Sequence, residues 1–162
     1  MKKILLTSFL LTMFLAACAP AATPTPAPTA NASAVSQAVV AVDMFYTFIN
    51  VAQTQDDLGL PWGMLTNEAQ CNAIDKCEMS AFQGRWWESK IIYRLYGCGA
   101  NTVLVEGMLY PRTDDAPAKM TDPDYWTYKL SDTGGVLLIS KISSSNAPGA
   151  DCVLALDRTL NP

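Results

Sequence analysis

Lys90-Ile91-Ile92-Tyr93-Arg94-Leu95-Tyr96-Gly97 is followed, across Cys98-Gly99-Ala100-Asn101, by Thr102-Val103-Leu104-Val105-Glu106-Gly107-Met108-Leu109-Tyr110. Both runs are rich in β-branched and aromatic residues, and the four residues between them are turn chemistry, so the pair reads as a β-hairpin. Tyr125 to Leu130 and Val136 to Ile142 repeat the pattern across Ser131-Asp132-Thr133-Gly134-Gly135, which predicts a second hairpin. Val153 to Leu156 can add a short edge strand.

Before Ser89 the period is helical. Val35, Ala38, Val39, Val42, Phe45, Tyr46 and Ile49 recur on one face while Gln37, Asp43, Asn50 and Gln53 fall elsewhere, predicting an amphipathic helix from Ser33, its N-cap, to about Thr54. Gly59 and Pro61 then punctuate the chain, with Pro61 in the first turn of a short helix through Trp62, Met64 and Leu65. A third helix is expected from Lys76 to Trp87, capped by Asp75, with Met79, Phe82 and Trp86 on one stripe. Three helices followed by four antiparallel strands define an α+β domain whose long helix packs on one face of a curved sheet.

The chain opens with Lys2 and Lys3, an apolar run from Ile4 to Phe14, and Leu15-Ala16-Ala17-Cys18. The apolar run is short of the roughly 20 residues of a membrane span and has the layout of an export signal. Leu15-Ala16-Ala17-Cys18 resembles the bacterial lipobox. The resemblance implies that residues 1–17 are removed and that Cys18 is acylated, with Ala19 of the type that permits sorting to an outer membrane. The lipid chains then hold the protein on the outer side of the cytoplasmic membrane or in the outer membrane, at roughly 0.8 kcal/mol per buried methylene. Residues 18–32, with prolines among Ala and Thr, favour an extended tether that cannot bury a core.

Counting from Ser33 leaves 162 − 32 = 130 residues, the size of one domain. Without Lys2 and Lys3 the 11 basic residues fall to 9 against 15 acids, a formal charge of −6. That balance argues against nucleic acid as a partner.

Beyond Cys18 lie Cys71, Cys77, Cys98 and Cys152, separated by 5, 20 and 53 residues, and there is no His. An even number in an exported domain points to disulfides, and neither the spacing nor the ligand types suit zinc. Four cysteines allow three connectivities; the short loop from Cys71 to Cys77 favours Cys71–Cys77 with Cys98–Cys152.

Phe45-Tyr46-x-Phe48-Ile49-Asn50, then Trp62-Gly63-Met64-Leu65-Thr66, then Phe82 through Trp86, in this order of elements, resemble the NTF2-like superfamily over Val35 to Ile142. The resemblance implies a cone in which helices close over a curved sheet and leave a pocket, often with homodimerisation through the sheet. Enzymes of the superfamily, such as ketosteroid isomerase, place Asp, Tyr or His in the cone. This chain has no His, and none of their catalytic positions is matched residue by residue.

Asp43, with Tyr46 at i+3, is the sharpest candidate for chemistry, since a carboxylate in a dry pocket can act as a base beside a phenolic donor. Trp62, Trp86, Tyr93 and Trp126, with Trp87, Tyr110 and Tyr128, are candidates to line an apolar pocket, although aromatics at such spacing are more often core. Trp86 and Trp87 cannot both face inward from one helix. Asp114, Asp115, Asp122 and Asp124 share one connection but lack the spacing of a calcium loop, and the glycine pairs are turns rather than phosphate cradles. No cofactor or metal is expected, and without His the common covalent mechanisms are absent. The reading is a tethered, non-enzymatic module for a small apolar ligand or an envelope protein, the alternative being a small hydrolase or isomerase using Asp43 and Tyr46.

Overall fold

The computed structural model describes residues 32–73 and 77–159. The expected signal peptide, lipidated Cys18, most of the tether and the Asp75 cap lie outside the described residues. Among the described residues, no helix is long and apolar enough to cross a membrane.

Helix α1 spans Ala32–Val51 and buries Ala38, Val42, Phe45, Tyr46 and Ile49. It begins at Ala32, so Ser33 lies inside the helix instead of capping it. It also ends before Thr54, because Thr54 is extended and caps a 3₁₀ turn at Gln55–Leu58. The Thr54 hydroxyl accepts from the Asp57 N–H at 3.4 Å and the Asp57 carboxylate accepts from the Thr54 N–H at 2.8 Å, a capping box that competes with helix continuation.

Among the described residues, four α-helices stand where three were expected. Helix α2, Gly59–Gly63, holds the buried Pro61 and ends before Met64. Helix α3, Asn67–Ala73, was not expected; the Thr66 hydroxyl accepts from the Ala69 N–H at 3.2 Å and caps it. Helix α4, Met79–Trp87, starts later than Lys76 because Cys77 has φ 53°, outside the right-handed helical region.

Strands β1 (Ser89–Gly97), β2 (Thr102–Pro111), β3 (Asp124–Thr133), β4 (Val136–Ser144) and β5 (Val153–Asp157) form one antiparallel sheet in the order β4-β3-β2-β1-β5. Beside the four strands expected, the fifth is the short edge strand that Val153 to Leu156 allowed. The two disulfides are Cys71–Cys77 and Cys98–Cys152. The second joins the end of β1 to the start of β5, and Leu95 pairs with Leu156 just beyond it. The second hairpin turns on two residues only: Gly134 at φ 66° and Gly135 at φ 89° supply the primed turn, and pairing continues to Thr133 and Val136.

Alternation along the strands sends Ile91, Tyr93, Leu95, Val103, Val105, Tyr128, Leu130 and Ile139 into the core under α1. On the opposite face Arg94 bridges Glu106 at 3.4 Å and Asp157 at 2.9 Å, tying β2, β1 and β5 together. On the free side of β4, Thr66 N–H donates to the Ile139 carbonyl and Ile139 N–H to the Met64 carbonyl, each at 2.9 Å, so the edge is covered at Ile139.

Candidate functional site

Between α1, α4 and the sheet lies a cavity of about 180 Å³. Helix α1 contributes Phe45 and Tyr46 to its wall. Helix α4 contributes Phe82, Arg85 and Trp86, the i, i+3, i+4 spacing that shares one helical face. Trp126 and Tyr128 come from alternate positions of β3, and Ser143 and Ser144 from β4 opposite. The rings meet edge to face: Trp86 lies 6.4 Å from Phe45 at 88° and 6.0 Å from Tyr46 at 69°, the arrangement their quadrupoles favour.

Two polar groups sit deep in this aromatic shell. The Tyr46 and Tyr128 hydroxyls share a hydrogen bond, and both residues are buried. Burial is the main reason the Tyr46 phenol lies well above its usual range, reinforced by Tyr128. Burial likewise raises Tyr128, with Tyr46 and Arg85 acting in the opposite direction. Both phenols are therefore neutral at physiological pH. In such a pair one hydroxyl donates to the other, which leaves one proton for a third partner. Arg85, exposed at the rim, is in no ion pair among the described residues.

Of the aromatic and acidic candidates singled out in the sequence, Tyr46, Trp86, Trp126 and Tyr128 line the cavity. Trp62 stands behind it, 5.4 Å from the Phe82 ring. Trp86 and Trp87 diverge: Trp86 faces the cavity while the Arg112 guanidinium lies 5.2 Å over the Trp87 ring. Asp43 and Tyr93 pair with each other. The Tyr93 hydroxyl donates to Asp43 Oδ1 at 2.8 Å, and Arg158 grips the same carboxylate from Nε at 3.1 Å and Nη2 at 2.9 Å. Burial, more than the Asp43 charge, pushes the Tyr93 phenol upward. The structure thus does not bring Asp43 and Tyr46 into one site: the first is held by β1 and the segment after β5, the second by β3. The sequence reading missed Arg85 and Arg158. Arg85 could have been found from its position three residues after Phe82; Arg158 had no local signal.

A second concavity, of about 750 Å³, runs along the outer side of α1 between α2 and β4, with Val40, Met44, Leu60 and Val136 on its walls. Gln37 is the one polar side chain among its described lining residues, so this groove offers apolar contact without the convergent polar groups that orient a small molecule. Compared with protein-family models, curated proteins and solved structures, the chain matches none.

Proposed function

We propose that the chain is an extracytoplasmic lipoprotein, tethered through Cys18, whose NTF2-like domain binds a small molecule without turning it over. The observation that carries this reading is the hydrogen-bonded Tyr46–Tyr128 pair inside an aromatic cavity of about 180 Å³. A cone filled by its own side chains would leave no such space, and a concave pocket whose aromatic walls carry a small set of polar groups is a usual form of ligand site. The order of helices before an antiparallel sheet fits the NTF2-like reading, and two disulfides suit an oxidising compartment.

The hydrolase or isomerase alternative draws no support from this geometry, because the Asp43 carboxylate is committed to Arg158 and Tyr93 and lies outside the cavity wall. The test is native mass spectrometry of the full chain extracted from its host membrane, with Cys18→Ala in parallel. The expected result is a lipid-sized mass that disappears in Cys18→Ala, together with a small co-purifying molecule lost in Tyr128→Phe. An unlipidated wild-type mass overturns the tether; failure of any small molecule to bind, co-purified or added, overturns the pocket.

A further inference from the structure

We propose that the cavity selects a small organic carboxylate of one ring's size, with its carboxylate at Arg85 and its ring between Trp86 and Trp126. This deepens the binding reading above and rests on it. Size comes first. A dry apolar cavity of about 150 Å³ takes one benzene ring, and this one measures about 180 Å³. A single ring with a short substituent fits that space.

Charge comes second. No acidic side chain is among the described residues lining the cavity, and Arg85 is the cation there. Arg85 is near enough to both phenols to oppose the effect of their burial. It has no carboxylate partner among the described residues, so its fork of donors is open to a carboxylate, the geometry a guanidinium binds best. The Tyr46–Tyr128 pair adds a neutral donor at the deep end and no negative charge. A ligand amine would meet only repulsion at the rim. The chain as a whole is acidic, at a formal charge of −4, so unspecific attraction does not account for a preference for anions, and any such preference must be local.

The experiment compares three isosteres, benzoate, benzamide and benzamidinium, by titrating the full chain in detergent micelles and following the tryptophan indole N–H signals by NMR. Trp86 and Trp126 line the cavity, and Trp87 under Arg112 is the internal control. Benzoate is expected to bind with Kd on the order of 0.1–1 mM, as suits about nine heavy atoms. It should bind on the order of tenfold more tightly than benzamide, with benzamidinium weaker still. Arg85→Gln should bring benzoate down to the benzamide level and leave benzamide within about twofold of its wild-type affinity. Benzamide binding as well as benzoate, or a benzoate preference that survives Arg85→Gln, overturns the carboxylate proposal and leaves the pocket standing. If none of the three moves Trp86 or Trp126, the pocket reading fails and this proposal falls with it.

Discussion

The guanidinium of Arg112, just past β2, donates from Nη2 to the main-chain carbonyl of Ile49 in α1 at 2.8 Å. The same group reaches the carbonyls of Ala52, Trp86, Trp87 and Ser89 at 2.8 to 3.2 Å. The last carbonyls of a helix lack intrahelical partners and carry partial negative charge. One side chain therefore satisfies the C-terminal ends of α1 and α4 together and fixes the two helices that wall the cavity. Lysine keeps the charge but has no planar fork. Arg112→Lys is expected to cost about 2–3 kcal/mol, because several carbonyls lose their donor. Urea denaturation of the two proteins checks it, and a loss under about 0.5 kcal/mol would show that water replaces the guanidinium freely.

Alkali should unfold the domain early. Tyr46, Tyr93 and Tyr128 all have phenols raised mainly by burial, and Tyr96 is raised to about 12 by burial and by its 2.6 Å bond to Glu106. These phenols hold their protons longer in the folded state than in the unfolded chain, where they ionise near 10. Their contribution to stability is complete below pH 10 and falls as pH rises from 10 towards the folded values. Each phenol that is ionised only in the unfolded state costs about 1.4 kcal/mol per pH unit. Denaturation curves at pH 8, 10 and 11, paired with tyrosinate absorbance, give the slope. Ionisation of every tyrosine near pH 10 in a still-folded protein would refute it.

Much of this fold is legible in the chain because the deciding signals are local. The alternation of Lys90–Gly97 and Thr102–Tyr110 and the turn residues between them specify a hairpin from neighbours alone, as does the stripe from Ala38 to Ile49 for α1. Helix α3 was missed because it is seven residues long and buries little beyond Ala69, too short to show a period. The late start of α4 depends on the backbone angle at Cys77, which residue type does not announce. The site was harder still. Tyr46 and Tyr128 are 82 residues apart, and Asp43 and Arg158 are 115 apart. Pairing by distance along the helix suggested Asp43 with Tyr46, whereas tertiary packing sends the two side chains to different strands.

The Asp43–Arg158 pair should matter for stability and not for ligand binding. The Asp43 side chain is 18% exposed and that of Arg158 41%, so solvent screens the pair and its ionic part is worth about 0.5–1 kcal/mol. Asp43→Asn keeps an acceptor for Tyr93 and should lose about that much; Asp43→Ala also strips the Tyr93 hydroxyl of its shorter bond and should lose about 2 kcal/mol. Affinity for any cavity ligand is expected to stay within about twofold of wild type in both variants. A folded Asp43→Asn that no longer binds, or that loses a measurable turnover, would restore the carboxylate to the functional site.

Gly107 on β2 is the point where the sheet makes room for the cavity wall. A Cβ there would come within 2.8 Å of Ile91 Cδ1 and 2.9 Å of Trp126 Cζ3, closer than carbon atoms pack. The neighbouring Ile91 is fully buried and has little freedom to retreat, so the ring of Trp126, on the cavity side, is the group that must shift. Gly107→Ala should cost about 1–3 kcal/mol by overpacking, against the small gain that alanine brings in strand propensity. It should also alter the ligand response of the Trp126 indole signal while leaving that of Trp86, on the opposite wall, nearly unchanged. A variant as stable as wild type, with both indole signals in place, would mean that Ile91 absorbs the methyl group and that Trp126 is not set by this glycine.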